Sequence, residues 1–203
     1  MQPLRAVVFD VGNVLYDWDP RYLYAPLIPD RSSLDRFLAT VVTKEWHFQH
    51  DAGRPFAETS AELSALHPEH RDLIALWGPR FADTIGGPLP GMVEIVEALD
   101  AAGVPLYAIT NFSEEFWTPF RANEAAMFDR FRDIVVSGTE RMVKPDAAIF
   151  DLAMRRFGLG AGEALFIDDR QDNVEAAERA GLVGHHFQDA PTLRRTLERA
   201  GLL

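Results

Sequence analysis

The stretch Leu4-Arg5-Ala6-Val7-Val8-Phe9-Asp10-Val11-Gly12-Asn13-Val14-Leu15 begins with an apolar run, rich in branched residues, that stops on an acid. The run Leu4–Phe9 is too short for a helix and fits a strand covered on both faces of a parallel sheet. Four later runs share its character: Val104–Thr110, Ile134–Ser137, Ala164–Ile167 and Val183–Phe187. Helical periodicity lies between them. Met92, Val93, Ile95, Val96 and Leu99 form one stripe, and Ile149, Phe150, Ala153, Met154 and Phe157 another. Gly103, Gly158, Gly181 and Gly201 stand where helices should close, because a left-handed cap residue costs glycine nothing. Strand alternating with helix predicts an α/β fold, a doubly wound parallel Rossmann-like sheet.

The segment from Tyr16 to Thr84 breaks that alternation, since no convincing strand is found in it. Leu34, Phe37, Leu38, Val41 and Val42 form an amphipathic stripe with Ser32 or Ser33 as the expected N-cap, and Leu73, Leu76, Trp77 and Phe81 form a second. Residues 16–84 are therefore expected to be an inserted all-helical cap domain, and residues 1–15 and 85–203 the α/β core. Gly86-Gly87-Pro88-Leu89-Pro90-Gly91 reads as the turn-rich return.

With 203 residues, 47% hydrophobic and 25% charged, the chain has the composition of a globular protein. A net charge of −11 disfavours nucleic-acid and anionic-membrane partners, and no apolar run reaches membrane-spanning length. The absence of cysteine removes disulfides, thiolate metal sites and cysteine nucleophiles together. No signal-peptide pattern opens the chain, so a cytoplasmic protein acting on a small-molecule substrate is expected, and the oligomeric state is unreadable.

Three of the strand candidates run into polar residues: Asp10 after the first, Thr110-Asn111 after the second, and Asp168-Asp169 after the fourth. In an open parallel sheet the carboxyl ends of the strands line one crevice, so these groups should meet there. Each taken alone also fits an N-cap or turn role. Converging carboxylates repel and need a cation, and hard oxygen donors without His or Cys suit Mg²⁺. A fixed cation is also expected. Only Lys44 and Lys144 are lysines, the other 18 basic residues being arginine, and Lys144 follows the third strand in Val143-Lys144-Pro145-Asp146.

These motifs resemble the haloacid dehalogenase-like (HAD) hydrolase superfamily, in the subfamily with an α-helical cap inserted after the first strand. Phe9-Asp10-Val11-Gly12-Asn13-Val14-Leu15 is similar to its first motif, Thr110-Asn111 to the second, Lys144-Pro145 to the third, and Asp168-Asp169 with Asn173 to the fourth. The resemblance implies that Asp10 attacks phosphorus and forms an aspartyl-phosphate that water hydrolyses. It implies Mg²⁺ held by Asp10, Asp168 and the main-chain carbonyl of Gly12, with Asp169 close by. Thr110 and the Asn111 amide would bind phosphoryl oxygens, and Lys144 would offset the shared charge.

One position departs from the family pattern. Most phosphatases of the superfamily carry an Asp two residues after the nucleophile as general acid and base, and here that residue is Gly12. Three explanations stand. The substrate has a good leaving group, as in an anomeric sugar phosphate or an acyl phosphate. Alternatively, Asp17 or Asp19 reaches back into the site. In the third, the chain is a metal-independent 2-haloacid dehalogenase, with Asp10 displacing halide, Arg21 or Arg54 holding the substrate carboxylate, and Trp46 or Phe112 lining the halide pocket. The acidic pair Asp168-Asp169 weighs against that third reading and favours a Mg²⁺-dependent phosphatase of a small phosphorylated metabolite. A non-enzymatic phospho-acceptor signalling domain is a remoter reading, because its acid pair would follow the first strand.

Other features read as structural. Gly158-Leu159-Gly160-Ala161-Gly162 follows a helix, the reverse of a dinucleotide-binding context. His47 with His50, and His67 with His70, read as solvated faces of the cap. His185 and His186 point to opposite faces of a strand. Trp46, Trp77 and Trp117 read as packing residues, with Trp46 and Trp117 kept as alternatives for lining the cleft. Cap loops such as Asp51-Ala52-Gly53-Arg54 are where substrate specificity is expected to reside.

Overall fold

The computed structural model describes residues 3–203. Its strands are β1 (Ala6–Phe9), β2 (Tyr16–Trp18), β3 (Ile85–Pro88), β4 (Leu106–Thr110), β5 (Asp133–Val136), β6 (Ala164–Asp168) and β7 (Val183–His186). Helices α1 (Arg21–Tyr24), α2 (Arg31–Thr40), α3 (Lys44–Asp51), α4 (Phe56–Leu66) and α5 (Arg71–Leu76) lie between β2 and β3. Helices α6 (Met92–Ala101), α7 (Glu114–Asn123), α8 (Ala125–Phe128), α9 (Ser137–Glu140), α10 (Ala147–Phe157), α11 (Gln171–Arg179) and α12 (Ala190–Arg199) alternate with the later strands.

Five strands form one parallel sheet in the order β5-β4-β1-β6-β7. Alternate residues of each strand enter different layers, which is why the strands read as unbroken apolar runs. Val7, Phe9, Ala108 and Ile167 pack with Met92, Ile95, Leu193 and Leu197 of α6 and α12. Ala6, Val8, Ile109 and Phe166 pack with Ile149, Phe150, Ala153 and Ala177 of α10 and α11. The result is an α/β three-layer fold, as the alternation predicted. Connections from β1 run to β4 and β5 on one side, and the next returns to β6 on the other. The strand order therefore reverses beside β1, where ligands of such sheets bind. Gly103, Gly158, Gly181 and Gly201 all adopt positive φ, closing the helices as expected.

The structure corrects several local readings. Tyr16–Trp18 and Ile85–Pro88 pair as an antiparallel two-stranded sheet, where an all-helical segment from Tyr16 and a turn-rich return were expected. Glycines at 86 and 87 hid β3, because pairing with a strand about seventy residues away is invisible to local propensity. The turn into β2 closes on Val11, whose carbonyl accepts from the amides of Leu15 and Tyr16. Asn13 takes the left-handed conformation there (φ 56°), and its side chain accepts from the Trp18 amide at 3.0 Å. The N-cap of α2 is Asp30, which accepts from the Ser33 amide at 2.8 Å, and not Ser32 or Ser33. The second stripe is interrupted as well. Gly78-Pro79 ends the helical run, so Ile74, Trp77 and Phe81 form its buried face. Among the described residues no helix is long and apolar enough to cross a membrane.

Gly138, in α9, has no room for a side chain: an added Cβ would lie 2.6 Å from the Glu114 amide nitrogen and 2.8 Å from the Phe112 carbonyl oxygen. Backbone cannot swing aside as a flexible side chain can. Gly138→Ala should therefore destabilise the fold by about 1–3 kcal/mol, read as a lowered midpoint of urea unfolding with an unchanged slope.

Candidate active site

The parallel register brings the carboxyl ends of β1, β4 and β6 level, with Phe9 opposite both Ala108 and Ile167. Asp10 follows directly, its amide donating to the Ile167 carbonyl at 2.8 Å. One oxygen each of Asp10, Asp168 and Asp169 lie within 4.8 Å of one another. The ammonium of Lys144 sits between two of these acids, 2.8 Å from Asp10 Oδ1 and 2.7 Å from Asp168 Oδ2. Asp168 is fully buried and also accepts from Asn173 Nδ2, at 3.0 and 3.1 Å, and from the Arg170 amide at 2.9 Å. Asn111 fixes the lysine from the opposite side. Its Nδ2 donates to the Lys144 carbonyl at 3.0 Å, and its Oδ1 accepts from the Lys144 amide at 2.8 Å.

Three carboxylates against one ammonium leave two negative charges uncompensated, and the titration of the groups reflects it. Burial raises the Asp10 carboxyl to about 7; Lys144 pulls against this and Asp168 adds to it. Burial and Asp168 likewise raise Asp169. Burial opposes the charge of Lys144, but Asp10 and Asp168 overcome it and hold the ammonium above the ordinary lysine range. An all-oxygen donor set with two excess charges fits a hard divalent cation such as Mg²⁺. Val11 N and Lys144 Nζ both engage Asp10 Oδ1, so Oδ2 faces neither of them.

A cavity of about 280 Å³ opens over this cluster. Asp10, Gly12, Asn111, Lys144, Asp169 and Asn173 line its floor, while Trp18, Phe48, Phe81, Ile85, Phe112 and Phe120 give it an apolar wall. Asp168 and Thr110, both buried at their strand ends, are not among the lining residues, and Asn111 and Phe112 are the ones that reach the cavity after β4.

Several expected contributors lie elsewhere. Asp17 accepts from the Tyr22 hydroxyl at 2.5 Å, and Asp19 accepts from the Arg21 amide at 2.8 Å just ahead of α1; neither lines the cavity. Pairing with Gln49 and Glu62 occupies Arg54, and pairing with Asp35 occupies Arg21. Trp46 and Trp117 are buried in packing, with Trp46 Nε1 donating to the Thr59 carbonyl at 3.2 Å.

The His pair of α3 is also not a solvated face. His50 is 1% exposed, and its Nε2 lies 2.6 Å from Thr59 Oγ1. His47 stacks on Trp18 and lines the cavity. Burial lowers His47 to about 3 and His50 to about 4, so both rings are neutral at pH 7.

Two cavity residues were missed by motif reading. Arg170 is held by Asp172 at 2.6 Å, and Asp51 is the last residue of α3. Asp51 is only 5% exposed, its Oδ2 is 3.5 Å from His47 Nε2, and burial together with the charge of Asp10 raises its carboxyl well above the ordinary range. With the His47 ring neutral, the contact between Asp51 and His47 is not an ion pair. The sequence placed Asp51 in a cap loop expected to set specificity, whereas it ends α3; an acid four residues after a histidine on one helix face was a further signal.

Lys144→Met should cost about 3–5 kcal/mol in metal-free buffer, because it strands buried carboxylates without a counter-charge. Asp10 already titrates near 7 in the fold against an ordinary 3.8, and losing the ammonium raises it further. A group raised on folding stabilises below its unfolded value and loses that contribution as pH rises. The deficit of the variant should accordingly narrow as pH falls from 8 to 5 in urea unfolding.

Residues 4–181 match the family described as haloacid dehalogenase-like hydrolase. The chain is 28% identical to the sesquiterpene phosphatase astK of Aspergillus oryzae over 192 residues, covering 92% of this chain and 91% of that one. It is 26% identical to a glyceraldehyde 3-phosphate phosphatase of Methanopyrus kandleri over 200 residues, 89% of this chain and 82% of that one. In fold it is similar to a HAD family enzyme of Bacteroides thetaiotaomicron, with a TM-score of 0.72 at 18% identity over 96% of this chain and 100% of the other. With the match running through both the strand-end acids and the helical segment, the chain belongs to the haloacid dehalogenase-like hydrolase family.

Proposed function

We propose that the protein is a Mg²⁺-dependent phosphatase of small phosphorylated metabolites, with Asp10 as its nucleophile. The observation that carries this reading is the cluster of Asp10, Asp168 and Asp169 around one shared point, with Lys144 supplying a single positive charge and a cavity directly above. A dehalogenase without a metal would have to bind an anionic substrate against that uncompensated charge. The relatives named as phosphatases support the same choice.

Bound at these acids, Mg²⁺ would be held by Asp10, Asp168, Asp169 and the Gly12 carbonyl and would neutralise charge on the transferring phosphoryl group. Asp10 attacks phosphorus in line and becomes phosphorylated as the ester oxygen departs, and water then releases phosphate and restores the carboxylate. Lys144 keeps Asp10 oriented and shares its charge with the substrate. The Asn111 amide binds a phosphoryl oxygen, Thr110, buried outside the cavity lining, is given no such role, and Asn173 keeps Asp168 in place. Positioning and charge neutralisation are what phosphoryl transfer asks of a protein.

Helices α1–α5 act as a cap over this floor, tethered by the β2–β3 ladder, and their closure excludes water while Asp10 attacks. The cavity is small, and its aromatic and aliphatic wall is suited to a small organic alcohol with an apolar face.

Phosphate release from a panel of phosphorylated metabolites should require Mg²⁺, vanish with EDTA and return when Mg²⁺ is restored. Asp10→Asn should abolish turnover with the fold intact by circular dichroism. Dehalogenation of 2-chloropropionate that is indifferent to EDTA would overturn the reading.

A further inference from the structure

The phosphatase reading, on which this inference rests, leaves one role vacant. The leaving alcohol needs a proton and the attacking water must lose one, but position 12 is a glycine and Asp17 and Asp19 are engaged elsewhere. Three carboxylates line the cavity: Asp10, Asp169 and Asp51. Asp10 is the nucleophile, and Asp169 belongs to the cation cluster. Asp51 does not belong to that cluster, because its oxygens do not join the 4.8 Å group. We propose that Asp51, carried by the cap helix α3, is the proton donor and acceptor of the reaction.

The placement of Asp51 is built, not incidental. Ser137 Oγ donates to the Asp51 backbone carbonyl at 2.6 Å and accepts from the Phe112 amide at 3.0 Å, pinning the end of α3 to the loop after β4. The carboxyl is buried, yet Oδ1 has no hydrogen-bond partner among the described residues; Oδ2 lies 3.5 Å from His47 Nε2, and the backbone of Ser113 also faces the carboxyl. Leaving such an oxygen unpaired costs free energy, a cost expected where the group serves function. The raised titration of Asp51 agrees with a carboxyl that holds its proton until an alkoxide needs it. Its charged and titratable surroundings are His47 and His50 on α3, Lys44 at the start of that helix, and Asp10, Lys144 and Asp169 from the core.

In the first half-reaction the bond from Asp10 to phosphorus forms as the ester P–O bond breaks, and the Asp51 proton passes to the departing oxygen. In the second, water oxygen bonds to phosphorus and the bond to Asp10 breaks. The proton of the water returns to the Asp51 carboxylate, and phosphate and the Asp10 carboxylate are released.

The test compares an alkyl phosphate with p-nitrophenyl phosphate, whose leaving group needs no proton, both with Mg²⁺. Asp51→Asn should slow the alkyl ester by about 10²–10⁴ and the aryl ester far less, and Asp51→Glu should retain more alkyl activity. An added Cβ at Gly12 meets nothing within 4 Å, so Gly12→Asp in the Asp51→Asn background should restore alkyl turnover. Equal losses on both substrates, or no loss, would overturn the proposal. Should Asp51→Asn not fold, a leaving-group series on the wild type decides: a shallow dependence on leaving-group acidity supports a proton donor, and a steep one overturns it. A wild type that hydrolyses neither ester would instead fail the phosphatase reading itself.

Discussion

The ammonium of Lys144, lodged between Asp10 and Asp168, is the interaction on which the rest of the site depends. It joins the ends of β1 and β6, the adjacent strands at the point where the sheet reverses order, and it is buried with both partners. Buried ion pairs contribute little net stability compared with apolar packing, because desolvation consumes the Coulombic gain. Their retention here is better understood through position. The lysine fixes Asp10 Oδ1 and leaves the cluster two charges short, a deficit that only a cation or a substrate-bound cation can meet. Two further positive side chains beside it would have satisfied the acids permanently and closed the site.

That arrangement is transmitted outward by short polar links and not by bulk packing. Asn111 clamps the backbone of Lys144 through both the oxygen and the nitrogen of its side-chain amide, tying the loop after β4 to the segment that follows α9. Ser137 then couples that pair to α3. Gly138, pressed against the Phe112 carbonyl, is the consequence: the approach needed for these bonds leaves no space for a side chain. The helical segment thus meets the core at two kinds of contact, a two-stranded ladder at its base and a hydrogen-bonded latch beside the cavity. The ladder carries the chain across; the latch sets where Asp51 stands.

The sheet was legible because each of its strands is covered on both faces and so appears as an unbroken apolar run. The floor of the site was legible for a related reason: Asp10, Asn111 and Asp169 each sit just past a strand end, where the register makes convergence compulsory, whereas Lys144 does not follow its strand directly but lies beyond α9 and is brought in by Asn111. The β2–β3 ladder was not legible, since Gly86 and Gly87 carry turn propensity and their pairing partner is remote. His47 and His50 were misjudged for a similar reason. A histidine pair on a polar-looking helix cannot reveal that Trp77, Phe81 and Phe116 will surround it.

The same limit explains the misplacement of Asp17 and Asp19, and it bears on how a missing acid can be replaced. Both stand a few residues from Gly12, so proximity along the chain favours them. Yet the turn that carries the chain into β2 spends the intervening residues on closing against Val11, and local bonds to Tyr22 and Arg21 then consume the carboxylates. Residues in such a turn are committed to its geometry and have no freedom to lean back. A helix end arriving from the opposite wall has no such commitment: its side chain projects into the cavity, and its backbone is anchored independently. Cavity walls contributed by an inserted segment can therefore supply chemistry that the motif segment has lost, and they do so at positions with no fixed spacing from the nucleophile. A buried acid with one oxygen unpaired and a cavity before it is the physical signature by which such a replacement is found.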